Sequence, residues 1–251
     1  MSRMDETNRR SVLDDVRSAL GRQVTLTPTP LEPFVETSAK IDLGKLIERF
    51  SEEATAVRAQ VHHISDKLQS VASGEKQSTT DPDDKLKFAG QLVAEICHTA
   101  GAREVALSNT EFVAGMNLLE QLSARGCSVF VPDNASLNHD QIVARLANCG
   151  VGLTAVDYAI AETGTIVLSS DEPNALLVSL LPPLHIALVK SEQMIATMEE
   201  AISRIGSERM GRTKPARSVT LITGPSRTSD VELVLSIGVH GPKELHVIVL
   251  D

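Results

Sequence analysis

The chain has 251 residues, 42% of them hydrophobic and 23% charged, with a net charge of −9; that is ordinary globular composition, sized for one full domain with an appendage or for two small ones. The acidic balance argues against a nucleic-acid surface, which needs clustered Lys and Arg, and one Tyr with no Trp leaves little for stacking on bases. No apolar run approaches the roughly 20 residues that span a bilayer, and the polar start from Met1 to Arg10 lacks the features of a signal peptide, so a cytoplasmic protein with no membrane partner is expected.

Residues 11–20 read as a short amphipathic helix, with Val12, Leu13, Val16 and Leu20 on one side and Gly21 ending it. Pro28, Pro30 and Pro33 then break helical structure and favour extended chain, so residues 1–40 form an N-terminal helix and a Pro-rich arm. From Leu43 the apolar positions are Leu43, Ile47, Phe50, Ala54, Val57, Val61, Ile64, Leu68 and Val71. The steps alternate between four and three, a heptad pattern that predicts one long helix. It packs either on its own domain or on a partner helix, which leaves a homo-oligomer through residues 43–71 open. His62 and His63 would flank that helix as surface residues, because neighbouring helical positions diverge too far to share a metal. Residues 73–84 read as a loop, completing a segment of long helix and loop over 41–84.

Beyond Lys85 the chain alternates helices with short apolar strands. Helices are predicted at 86–99, 112–124, 138–148 (capped by Asn138), 175–181, from Ser191 to Gly206, and at 230–237. Strands are predicted at 104–108, 128–131, 164–169, 185–189, 219–223 and 246–250. This alternation implies an α/β domain over 85–251, with a largely parallel sheet covered by helices on both faces. Ligands in such folds bind beyond the carboxyl ends of the strands. That rule selects Ser108, Asn109 and Thr110, then Pro132, Asp133 and Asn134, then Lys190 and Ser191, and finally the turn from Thr223 to Arg227; of the first three, Asn109 is taken as a candidate ligand-binding residue.

Four segments could carry chemistry. In the first, a strand runs through Gly224 and Pro225 into Ser226, Arg227, Thr228 and Ser229, and Ser229 with Glu232 fits a capping box. Free N–H groups at a helix start attract anions, and Arg227 could clamp a carboxylate or phosphate; the alternative is an ordinary capped turn. Glu162, Thr163 and Gly164 form the second. A carboxylate in an apolar stretch could act as base or nucleophile, and Gly164 would let backbone approach a ligand, although a turn in which Glu162 satisfies backbone donors explains the same residues. In the third, His240 between two glycines could serve as a base or an orienting donor, or simply sit in a tight turn before Pro242. The fourth is His185 after Pro182 and Pro183, either facing a pocket or capping a strand. Cys97, Cys127 and Cys149 are widely spaced and read as core residues, so neither a disulfide framework nor an iron–sulfur cluster held by this chain alone is expected. No nucleotide, flavin or metal motif is present, so no cofactor or metal is expected in this chain.

Taken in order, residues 157–165, 182–186, 224–232 and 238–242 resemble the LUD-domain family, over 85–251 and extending to the helix from Leu43. The resemblance implies a fold similar to the ribose-phosphate isomerase, glucosamine-phosphate deaminase and CoA-transferase group. It also implies a part in oxidising L-lactate to pyruvate, as an accessory, non-redox subunit beside partner lactate-utilization subunits that carry iron–sulfur clusters. No catalytic residue is carried over, and fold is weak evidence for function. From the residues themselves three readings stay open. One is such a subunit binding a small carboxylate or phosphate anion. Another is a stand-alone isomerase, hydrolase or acyl-transfer enzyme acting on a phosphorylated or CoA-linked substrate through Glu162. The third is a regulatory anion sensor.

Overall fold

The computed structural model describes residues 14–15, 18–19, 42–64, 67–69, 76–78, 82–108, 116–132, 136–170, 173–211, 218–229, 235–238 and 240–250. The chain divides into two units, Met1–Val35 and Glu36–Asp251. In the first, residues 14–15 and 18–19 are helical, inside the stretch expected to be so; the prolines at 28, 30 and 33 lie outside the described residues.

The second unit runs α1 (Leu43–Ala56), β1 (Gln60–Ile64), β2 (Lys67–Gln69), β3 (Lys76–Ser78), α2 (Pro82–Thr99), β4 (Glu104–Leu107) and α3 (Leu118–Ser123). It continues with β5 (Ser128–Phe130), α4 (His139–Asn148), β6 (Val151–Ala155), β7 (Tyr158–Ile160), β8 (Thr165–Ser170), α5 (Pro173–Leu180) and β9 (Leu184–Lys190). After a 3-10 turn (Ser191–Gln193) come β10 (Met194–Ile195), α6 (Met198–Gly211), β11 (Ser218–Ile222), β12 (Arg227–Ser229), β13 (Leu235–Ile237) and β14 (Glu244–Leu250).

Six strands form the main sheet in the order β1-β14-β9-β6-β4-β5, and every pairing is parallel. Successive side chains of a strand point to opposite faces, and here both faces are apolar. Ile186, Leu188, Ile248 and Leu250 enter one core with Val93 and Cys97 of α2 and Leu122 of α3. Ala187, Val189, Leu245, Val247 and Val249 enter another with Phe50 and Ala54 of α1 and Ile166 of the second sheet. Ile142 and Leu146 of α4 pack with Val178 of α5 over Ala106 and Phe130. Burial on both faces is why these strands read as continuous apolar runs. The second sheet has the order β10-β7-β8-β11 and is mainly antiparallel. Asn138 caps α4 as expected, in a capping box with Gln141. Among the described residues no helix is long and apolar enough to cross a membrane.

The long helix predicted over 43–71 does not form. α1 stops at Ala56, and Arg58 adopts the left-handed conformation at φ 72°. The Arg58 N–H donates to the Thr55 carbonyl and the Ala59 N–H to the Ala54 carbonyl, both at 2.9 Å. These two bonds make a Schellman stop, built here without glycine. Val61 and Ile64, counted as helical positions, belong instead to β1, which pairs with β14 along the sheet edge. The expected self-association seam is therefore not one helical stripe.

Two further expectations change. Residues 227–229 and 235–237 are antiparallel strands, so the helix expected over 230–237 does not include 235–237; residues 230–234 lie outside the described residues. The helix predicted from Ser191 starts at Met198, with the Thr197 hydroxyl accepting the Glu200 N–H at 3.2 Å and Glu200 Oε2 accepting the Ala196 N–H at 3.1 Å. The strands β6 and β7 were not anticipated.

Candidate functional site

Backbone hydrogen bonds draw three of the singled-out segments together. The Lys243 N–H donates to the Pro183 carbonyl (2.7 Å), the Ser226 N–H to the Pro242 carbonyl (2.9 Å) and the Gly238 N–H to the Ser226 carbonyl (3.0 Å). The turns holding His185, Gly224 to Arg227, and His240 thus meet around a cavity of about 420 Å³. That volume lies in the ordinary range for small-ligand sites. Leu176, Leu180 and Leu245 form its apolar side.

The cavity's position corrects the expected one. His185 and Leu245 are the second residues of β9 and β14, so the site opens at the amino ends of these parallel strands, not at the carboxyl ends. The physical cause is the pair of loops just before β14, which fold back over the entry to β9. At the carboxyl end of β9, Lys190 pairs with Glu192 at 3.6 Å. Asn109, Thr110, Asp133 and Asn134 lie outside the described residues.

His185 is 1% exposed, and its Nε2 lies 2.8 Å from the Thr154 hydroxyl. Its Nδ1 has no hydrogen-bond partner among the described residues. Burial pushes its pKa down to about 3, so the ring is neutral at physiological pH. No Asp or Glu lines the cavity among the described residues, and Arg227 supplies its permanent charge. The Arg227 guanidinium also donates to the carbonyl of Val57, the C-cap of α1, where a cation complements the helix dipole. His240 stands exposed at the rim.

The remaining candidates sit elsewhere. Glu162 Oε1 accepts the Met198 N–H at 2.6 Å, capping α6, and Glu162 does not line the cavity. Thr163 and Gly164 do not line it either. They connect to it, however, because the Thr163 hydroxyl donates to Thr165 Oγ1 and Thr165 Oγ1 lies within hydrogen-bond distance of Thr223 Oγ1, both at 2.8 Å. Gly164 instead seats α1: at φ 61° an added Cβ would lie 2.2 Å from the Ala54 nitrogen. Thr228 and Ser229 belong to β12, and residues 230–234, where the expected helix start would lie, are outside the described residues. Sequence reading missed Thr154 and had Thr165 only as the end of the segment from Ala161, with no role; both are about 1% exposed. The available signal was a hydroxyl inside a buried strand, which must find a partner.

A second cavity, of about 670 Å³, lies on the other face of the main sheet, with His62, Glu95, Lys243, Glu244 and His246 in its wall. It carries both charge signs and contains none of the singled-out motifs beyond the strand entry.

The family model of the LUD domain matches residues 47–250. The chain belongs to the LUD-domain family. Lactate utilization protein C of Shouchella clausii is 29% identical over 244 residues, covering 97% of this chain and 98% of that protein. The protein of the same name from Oceanobacillus iheyensis is 31% identical over 152 residues, 60% of this chain and 64% of its own length. The crystal structure of a DUF162 family protein from Deinococcus radiodurans superposes with a TM-score of 0.53 at 21% identity, covering 84% of this chain and 99% of that one. That likeness establishes the fold of this LUD-domain protein: a largely parallel α/β sheet with helices on both faces, as the alternation of elements predicted.

Proposed function

We propose that this LUD-domain protein serves lactate utilization as a non-redox subunit that binds a small carboxylate in the cavity bordered by His185, Thr223, Ser226, Arg227 and His240. The names of its relatives support the process, and the cavity supports the ligand class. The observation that carries the reading is a cavity lined by Arg227 and a buried, neutral imidazole, with no carboxylate among the described residues of its lining. Oxidising lactate needs an electron acceptor, which this reading assigns to partner subunits carrying iron–sulfur clusters.

The test is genetic and biochemical. Removing the chain from its own host is expected to abolish growth on L-lactate and spare growth on pyruvate. The chain purified with its partners is expected to be required for lactate-dependent dye reduction. Equal growth on both carbon sources, or dye reduction unchanged without this chain, would overturn the reading.

A further inference from the structure

The turn at residues 163–165 and the turn at 223–227 are some sixty residues apart in sequence yet share one hydroxyl chain. Thr163 Oγ1 donates to Thr165 Oγ1 at 2.8 Å. The Thr165 oxygen is thereby used as an acceptor, and its own proton has Thr223 Oγ1 before it, also at 2.8 Å. Thr165 is 1% exposed, so its hydroxyl is satisfied inside the protein. Either hydroxyl can be the donor in the Thr165–Thr223 bond; a hydroxyl carries one donor, and Thr165 donating is the arrangement that leaves its buried proton paired. In that direction the chain ends at Thr223, whose own proton is left for another acceptor, and Thr223 lines the cavity.

We propose that this relay makes Thr223 a donor aimed into the cavity, so that the site selects carboxylate ligands over neutral or ammonium-bearing analogues, with Thr165 as the positioning residue behind it. The inference rests on the reading of the cavity as a carboxylate site and names what sets its selectivity. Each hydroxyl in such a chain polarises the next, and a hydrogen bond to a charged acceptor is stronger than one to a neutral acceptor. His185 also lines the cavity, its ring buried and its Nε2 2.8 Å from the Thr154 hydroxyl. Thr223 and Arg227 then both offer donors, and among the described residues no carboxylate lines the cavity to meet an ammonium group. Leu176 and Leu245 beside them suit the alkyl end of a short 2-hydroxy or 2-oxo acid.

Isothermal titration of the full chain with L-lactate, pyruvate and lactamide separates the claims. Wild type is expected to bind both acids and to discriminate against the amide. Thr165→Val, nearly isosteric and remote from the ligand, is expected to weaken acid binding about tenfold while leaving the amide little changed; Thr165→Ser is expected to restore the acid preference. Wild type that binds neither acid overturns the carboxylate reading and this inference together. Wild type that binds, with an unchanged acid-to-amide ratio in Thr165→Val, overturns the relay alone. If Thr165→Val does not fold, Thr163→Val is read by the same ratio, with a smaller loss of acid preference expected and an unchanged ratio rejecting the relay.

Discussion

Gly224 lies so close to Val57 that a Cβ on the glycine would stand 2.4 Å from the Val57 carbonyl oxygen. Gly224 is also at φ 73°, where an L side chain is strained by about 1–2 kcal/mol. The clash adds an overpacking cost of roughly 1–3 kcal/mol, since the obstructing atom is backbone. Gly224→Ala is therefore expected to lose about 3 kcal/mol in urea denaturation. Gly101 is the control: its φ is 66° and nothing lies within 4 Å of an added Cβ, so Gly101→Ala should lose only the strain. Equal losses would show that the contact with the end of α1 contributes nothing.

Glu162 was a candidate base, and its placement predicts otherwise. Its carboxylate caps α6 through the Met198 N–H and does not line the cavity. Glu162→Gln keeps an acceptor oxygen there but removes the negative charge from a helix start, a loss of about 0.3–1 kcal/mol. Ligand affinity and any turnover should stay within about twofold of wild type. A hundredfold loss of turnover, with stability retained, would return Glu162 to the chemistry.

The parallel sheet was legible because strands buried on both faces leave apolar runs between helices, as in β9 and β14. The end of α1 was not: Val57, Val61 and Ile64 keep helical spacing, and the stop is made by Arg58, a residue that gives no breaker signal. Likewise the helix expected after Ser229 rested on a capping pattern, whereas residues 227–229 pair with 235–237, a non-local choice that local rules do not see. Gly224, Ser226, Arg227 and His240 read as loop residues and His185 as the start of a strand, and all five line one cavity. That they meet at the amino ends of the strands depends on contacts such as Lys243 with Pro183, which no spacing encodes. For Glu162 the sequence leaves a base and a residue that satisfies backbone donors both open, because a helix cap and a catalytic acid look alike there; the structure has it accepting the Met198 N–H.

On the other face of the sheet, His62 and His246 stack at an interplanar angle of 6°, with His62 Nε2 3.0 Å from His246 Nδ1. His246 Nε2 already has no hydrogen-bond partner among the described residues, with Glu244 3.8 Å away. His62→Leu would leave both ring nitrogens of His246 unpaired, a loss of roughly 1–3 kcal/mol. Replacing both rings, His62→Leu with His246→Leu, removes the stranded polar atoms and should recover most of that loss. Denaturation of the two single variants and the double variant measures the coupling, and strict additivity would mean the pair does not interact.

His185 should make stability depend on pH in a defined window. Burial holds its folded pKa near 3, below the ordinary 6.5. Above pH 6.5 the ring is neutral folded and unfolded, and its contribution is fully present. As pH falls from 6.5 towards 3 the unfolded chain takes up a proton that the native chain refuses, so stability drops by up to about 1.4 kcal/mol per pH unit. His62, lowered to about 4 by burial and then by His246 and His63, titrates in an overlapping window. The comparison must therefore be between variants: His185→Gln should flatten the decline between pH 6 and 4 relative to wild type, with the slope from His62 left in place. Urea midpoints across that range give the two slopes directly, and parallel curves for wild type and His185→Gln would mean that His185 is protonated in the native protein.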